Sequence, residues 1–331
     1  MLNSETDASF AATLQLAEQM GIISSPQMYA QPDDFPFHIA IAKIRPREGG
    51  SLPANTLKKR ISTGFAWNLE EAKFLARCEG IERYSIQYSN QIQQSADSIL
   101  SSGARLRRIN IEEITIGSPS TEKEISSIGA ACGSSKEMAI QNSLLEILEH
   151  HVKQNFSQYG LISSRINPRS IDSLIPVLNW LDSQFKNLEI TVFQFSDGIS
   201  VSKVALSDLS GARTTYGSAA ALDIEKAATK ACQEAILFWR NMIQLELNGI
   251  VARNLPAEEN QALMNYRTSV YQPQISNSLV IDLPINQNKP TNITCESLIS
   301  VISKIIEKEI QVFDLTDPDL GIPTVKAVRM D

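Results

Sequence analysis

Five glutamates at a repeated spacing are the residues of this 331-residue chain best suited to chemistry. Glu79 and Glu82 lie three apart, as do Glu146 and Glu149, and Glu234 stands singly because Leu237 occupies the place of a second acid. Residues three apart on a helix share a face, so each pair projects two carboxylates together. Two pairs converging from two helices would offer four carboxylates. Hard divalent cations such as Mg2+ take oxygen ligands and usually bridge to phosphates. The chemistry suggested is Mg2+ held on a nucleotide, in a chain with neither a G-x-x-x-x-G-K-[S/T] loop nor a G-x-G-x-x-G turn. A lone E-x-x-E is more often a solvated helix face. Here Leu75, Cys78 and Ile81 surround the first pair, and Leu144, Leu145, Ile147 and Leu148 the second. Acids in an apolar face are costly without a partner. A metal ion is one such partner, and a salt bridge to Arg83 or Lys230 is another.

The elements that must position these acids start alike. Asn68-Leu69-Glu70-Glu71-Ala72, Ser135-Lys136-Glu137-Met138-Ala139 and Asp223-Ile224-Glu225-Lys226-Ala227 each precede, by seven residues from the Ala, Glu79, Glu146 and Glu234. Asn, Ser and Asp are helix N-caps, since their side chains accept from otherwise unpaired amides. Early acids suit the helix dipole. The pattern predicts helices over 69–88, 136–156 and 224–247, the last stopping near Gly249. A further helix is expected over 8–20 and another over 295–307. Alternation predicts strands at 37–44, 61–66, 109–116, 188–195, 201–206, 310–315 and 323–329. Arg45 to Asn55 reads as a Pro-, Gly- and Ser-rich loop. Residues 253–290 are polar and rich in Asn, Gln and Pro, and are expected to form a long connection.

Composition bounds the partners. Apolar residues make up 43% and charged residues 20%, which is ordinary for a globular protein, and the net charge of −7 argues against nucleic acid. No apolar run approaches the length of a membrane span, and the first ten residues lack a signal-peptide core. A cytoplasmic location is the resulting expectation. Cys78, Cys132, Cys232 and Cys295 form no C-x-x-C pair and read as reduced thiols in the core.

Three segments resemble the YcaO family: Ser62 through Ser85 with E-x-x-E-R at Glu79, Glu82 and Arg83; Gly129 through Glu149; and Tyr216-Gly217 through Lys230 and Glu234. The ending Val312 through Val328 is similar to the last strands of that fold. The resemblance implies an α+β fold of mixed β-sheets packed with helices, a non-Walker ATP site, and a single domain over 1–331, with 1–34 as an N-terminal extension. It implies Mg2+ at Glu79, Glu82, Glu146 and Glu149, and nucleotide contacts from Arg83, Ser135, Lys230 and Glu234. The sequence differs from the family pattern at Leu75, His150, Lys230 and Leu237, and lacks the proline-rich tail common in the azoline-forming branch.

The activity implied is ATP-dependent cyclodehydration of a ribosomally made precursor peptide to thiazoline or oxazoline rings. Thioamide or amidine formation uses the same amide activation with another nucleophile. A nucleotide-binding or structural subunit of a peptide-modifying complex is the alternative, and an α+β binding protein with acidic helices is a third reading. The expected partners are a leader-binding protein resembling ubiquitin-activating enzymes, a flavin dehydrogenase acting downstream, and further copies of the chain in an oligomer.

Overall fold

The computed structural model describes residues 4–31, 34–47, 60–89, 95–103, 105–118, 125–156, 158–159, 163–252, 255–271, 280–281 and 293–330. The loop expected at 45–55 lies outside these beyond Arg47, as does much of the connection at 253–290. The chain divides into two compact units, one of residues 1–148 with 293–331 and one of residues 149–292.

Unit 1 holds the helices α1 (Ser4–Gln19) and α2 (Leu69–Ser85), most of α3 (Lys136–Gln154), and a later helix α7 (Cys295–Ile306). Its first sheet orders β1 (Gln27–Met28), β2 (His38–Lys43) and β3 (Ile61–Ala66), antiparallel throughout. Its second sheet runs β5-β4-β12-β13-β6, from β4 (Ser95–Ser101), β5 (Arg108–Asn110), β6 (Ala130–Cys132), β12 (Ile310–Asp314) and β13 (Thr324–Arg329). The chain's end therefore lies between strands formed two hundred residues earlier. Leu14, Ala17, Ile22 and Ile23, from α1 and the turn after it, pack with Ile81 and Tyr84 of α2 in one buried cluster.

A glycine sets the spacing of α2 on β3. A Cβ on Gly64 would stand 1.7 Å from the Ala72 carbonyl oxygen and 2.6 Å from the Ala76 amide nitrogen. Only glycine lets the strand approach so closely. Ala40, Ala66, Ala72 and Ala76 fill the rest of this contact with small side chains.

Unit 2 is a five-stranded sheet, β10-β9-β8-β7-β11, with β7 (Ser163–Ile166), β8 (Lys186–Gln194), β9 (Ser200–Asp208), β10 (Thr215–Ala221) and β11 (Val280–Ile281). Among the described residues of this sheet, only the β11–β7 pair is parallel. The helices are α4 (Ile175–Ser183), α5 (Ile224–Ala252) and α6 (Ala257–Thr268). Gly217 repeats the role of Gly64: its Cβ would fall 2.0 Å from the Ala231 carbonyl oxygen, beneath α5.

Most predicted elements stand within a few residues of their expected bounds. Three differ. The strand expected over 109–116 ends at Asn110, whose side chain accepts from the Glu112 amide and starts a 3-10 turn at Ile111–Glu113. Helix α5 continues through Gly249 to Ala252. Within the polar stretch 253–290, α6 forms a twelve-residue helix anchored by buried Leu263 and Tyr266. All four cysteines are free thiols. Among the described residues, no helix is long and apolar enough to cross a membrane.

Candidate functional site

In unit 1 the acids stand on α2 and α3. Asn68 caps α2 by accepting from the Glu71 amide at 2.8 Å, and its amide donates back to the Glu71 carboxylate. Ser135, expected to contact nucleotide, caps α3 by accepting from the Met138 amide at 3.2 Å. About three turns into α2, Glu79 Oε2 accepts from the backbone N–H of Thr63 on β3. Its other oxygen pairs with Arg83 Nη2 at 2.6 Å, and Arg83 Nη1 donates to the Ile61 carbonyl at 2.6 Å. Burial raises the Glu79 pKa, against the pull of Arg83 and the Thr63 amide.

Glu82 is the more strained acid. Burial pushes its pKa well above the usual carboxylate range, and electrostatic interaction with Glu146, with the Cys132 sulfur and with Glu79 pushes it further, opposed by Arg83. Glu79, Glu82 and Glu146 are thus within each other's electrostatic reach or that of a shared neighbour. Lys326, buried on β13, adds a cation that feels Glu146. Its ammonium donates to the carbonyls of Ile114 and Ser126. Burial pushes its pKa down to about 8, with Glu146 opposing.

In unit 2, Glu149 keeps other company. Its Oε1 accepts from Ser218 Oγ at 2.7 Å. Its pKa is raised to about 7, first by burial, with Ser218 opposing and Glu234 adding like charge. Glu234 Oε2 accepts from the Ser218 backbone N–H at 2.5 Å, and burial raises its pKa too. Lys230 is exposed but crowded, which lowers its pKa, and Glu149 opposes that shift. Lys153 of α3 acts on both Glu149 and Glu234. Lys203 of β9 lies 3.7 Å from the centre of the Phe156 ring and 5.0 Å from that of Tyr216. Sequence reasoning missed Ser218, Lys153, Lys203 and Lys326. For Ser218 a signal existed: it precedes Glu234 by sixteen residues, as Thr63 precedes Glu79.

A Mg2+ ion suits this donor set, which is all carboxylate oxygen on the unit 1 helices. Like charges crowd around Glu82 in partial burial, and a bound cation would neutralise them. Among the described residues, no group of three or more His, Cys, Asp or Glu side chains forms a metal cluster. Mg2+ bound by one or two carboxylates plus phosphate oxygens needs no complete cage.

The family model of YcaO cyclodehydratase, described as ATP- and Mg2+-binding, matches residues 118–329, well over half of the chain. No curated protein is similar enough in sequence to match. Among solved structures, a heterocyclase in complex with substrate and cofactor is similar at 16% identity and a TM-score of 0.71, over 96% of this chain and 52% of the other. The chain thus spans about half of that heterocyclase's length. A YcaO protein from Methanopyrus kandleri, bound with AMPPCP and Mg2+, is similar at 14% identity and a TM-score of 0.67, over 96% of this chain and 89% of the other. The microcin synthetase McbBCD complex from E. coli contains a chain similar at 10% identity and a TM-score of 0.64, over 92% and 87%. At these identities the structural likeness bears on the fold.

Proposed function

Because the chain belongs to the YcaO family, we propose that it activates backbone amides of a ribosomally made precursor peptide with ATP and Mg2+, closing Cys, Ser or Thr residues into azolines. When bound, ATP supplies the phosphoryl group that turns the amide oxygen into a leaving group, and Mg2+ neutralises phosphate charge. The chain's own residues position and screen. By the family resemblance, Glu79, Glu82, Glu146 and Glu149 would hold the metal. Arg83, fixed by the Ile61 carbonyl and Glu79, presents a cation that suits phosphate. Lys230, Glu234 and Ser135 would contact the nucleotide, as the family resemblance implies.

The observation that carries this reading is the crowding of acids around Glu82, whose ionisation is opposed by burial and by Glu146 and Glu79. A structural helix face has no need of such a group, and a cation would relieve it. The heterocyclase bound to its substrate and the multi-subunit microcin synthetase among the similar structures support a substrate and protein partners; for those partners the proposal is a leader-binding subunit and a flavin dehydrogenase.

The test incubates the protein with the peptide encoded beside its gene, ATP and Mg2+, following phosphate release and peptide mass. Loss of one water per modified residue supports cyclodehydration. A mass gain matching oxygen-to-sulfur exchange redirects the reading to thioamide formation. No ATP binding by calorimetry, with Glu79→Gln matching the parent, assigns the chain to a structural role.

A further inference from the structure

We infer that Cys78 and Cys132 of unit 1 form a redox pair, which an oxidant of the peroxide class closes into a disulfide between α2 and β6, beside the candidate acids. The pair itself is independent of the peptide-modifying reading, and its effect on nucleotide binding rests on that reading. Cys78 lies on α2 directly before Glu79 and four residues before Glu82, so it shares a helix face with Glu82. Cys132 is the last residue of β6. The two residues meet side by side: the Cys132 thiol donates to the Cys78 carbonyl at 3.2 Å and hydrogen-bonds the Cys78 thiol. Cys78 also packs against the buried cluster that holds Cys132 with Ile81 and Tyr84.

Exposure separates the four thiols. Cys78 is half-buried, whereas Cys132, Cys232 and Cys295 are buried. A reagent arriving from solvent therefore meets Cys78 first. The Cys132 pKa is raised well above the ordinary thiol range, by its hydrogen bond to Cys78 and then by burial. Cys132 is thus the second, resolving partner, which a redox-active cysteine needs beside it. Neither Cys232 nor Cys295 has another thiol among the groups acting on it.

The chemistry balances with hydrogen peroxide as the oxidant. The Cys78 sulfur attacks one peroxide oxygen, and the O–O bond breaks. That oxygen stays on sulfur as a sulfenic acid, and the other leaves as water with the thiol proton. The Cys132 sulfur then attacks the Cys78 sulfur, forming the S–S bond and displacing the sulfenic oxygen as a second water, with the Cys132 proton. The two thiols together give up two electrons and two protons. A disulfide has no S–H, so the Cys132 hydrogen bond to the Cys78 carbonyl is lost. In its place β6 is bonded covalently to the stretch of α2 that carries Glu79 and Glu82. The placement of both acids then depends on redox state.

The test reduces the full chain with dithiothreitol, removes the reductant and adds excess hydrogen peroxide. Remaining thiols are then blocked with iodoacetamide in denaturant, and peptides are mapped by mass spectrometry without reduction. The expected product is a linked Cys78–Cys132 peptide that dithiothreitol abolishes, with Cys232 and Cys295 alkylated. Cys132→Ser should stop at the Cys78 sulfenic acid, which dimedone traps, and Cys78→Ser should give no linked peptide. No linked peptide from the folded parent, or linkage to Cys232 or Cys295 in equal yield, overturns the inference. Calorimetry then compares the two forms of the parent. The oxidised chain should bind ATP with Mg2+ about tenfold more weakly, the scale on which groups behind metal ligands act, and dithiothreitol should restore the affinity. Equal affinity overturns redox control of binding. No ATP binding in either form sinks the proposed activity, while the linked peptide still decides the pair.

Discussion

The backbone N–H of Ser218 donates to Oε2 of Glu234 at 2.5 Å, sixteen residues along the chain. Thr63 and Glu79 make the same strand-to-helix clamp at the same separation. Each clamp uses one carboxylate oxygen and leaves the other for a different partner: Arg83 in the case of Glu79.

The clamp separates position from charge at Glu79. Glu79→Gln retains an oxygen to accept from Thr63 and loses the charge that pairs with Arg83. The variant should fold with the parent's circular dichroism and bind ATP with Mg2+ at least about tenfold more weakly, since interactions with charged groups are worth about 1.5–3 kcal/mol. Calorimetry at fixed Mg2+ measures this, and unchanged affinity would remove Glu79 from the metal site.

Gly64 and Gly217 should resist any side chain. Gly64→Ala places a Cβ 1.7 Å from a backbone oxygen of α2, and Gly217→Ala 2.0 Å from one of α5. Backbone cannot swing aside as a side-chain tip can, so each should cost at least about 2–3 kcal/mol by urea denaturation. Gly21→Ala is the control. Its φ of +66° is strained for alanine, but nothing lies within 4 Å, so its cost should stay near 1 kcal/mol.

The Arg47–Asp317 pair is buried, with both side chains 7% exposed, and the Arg47 guanidinium also lies 4.9 Å from the centre of the Tyr84 ring. Removing one partner strands the other charge. Asp317→Asn or Arg47→Ala should therefore cost about 3–5 kcal/mol. The double substitution Arg47→Met with Asp317→Leu should cost less than Arg47→Ala alone. A thermodynamic cycle in urea reads the coupling.

Lys326 gives stability a pH dependence of definite sign. Its folded pKa of about 8 lies below the ordinary value of 10.5. Between those values the unfolded chain holds the proton and the folded chain has released it. The unfolded state binds more protons there, so this group's contribution makes stability rise with pH across the window. Below pH 8 both states are charged and the burial penalty is present in full, about 3 kcal/mol. Lys326→Met should remove this rise. Urea unfolding from pH 7 to 10 on both proteins measures it, and parallel curves would refute the assignment.

The helix starts were legible because capping is local. Asn68, Ser135 and Asp223 each accept from an amide three residues on, as the repeated pattern implies. The alternating strands were legible for the same reason, since one buried face enforces a period of two. Where a local signal competed with another, the reading slipped. Asn110 drew the chain into a 3-10 turn because its side chain could cap one. Helix α6 went unseen because only Leu263 and Tyr266 of its twelve residues are buried.

The sequence by itself determined which helices carry acids, at what depth, and that their faces are partly apolar. Tertiary structure alone decided what each acid meets. Glu79 meets Thr63 and Arg83, Glu82 meets like charge, and Glu149 meets the Ser218 hydroxyl. It also placed Lys326, more than two hundred residues from Ile114, on that residue's carbonyl, and left Gln87 with an unanswered donor. The division has one physical cause. A cap or a helical spacing is fixed by bonds a few residues long, whereas the burial and neighbouring charge that set a carboxylate's character come from segments far apart in the chain, which meet only when it folds.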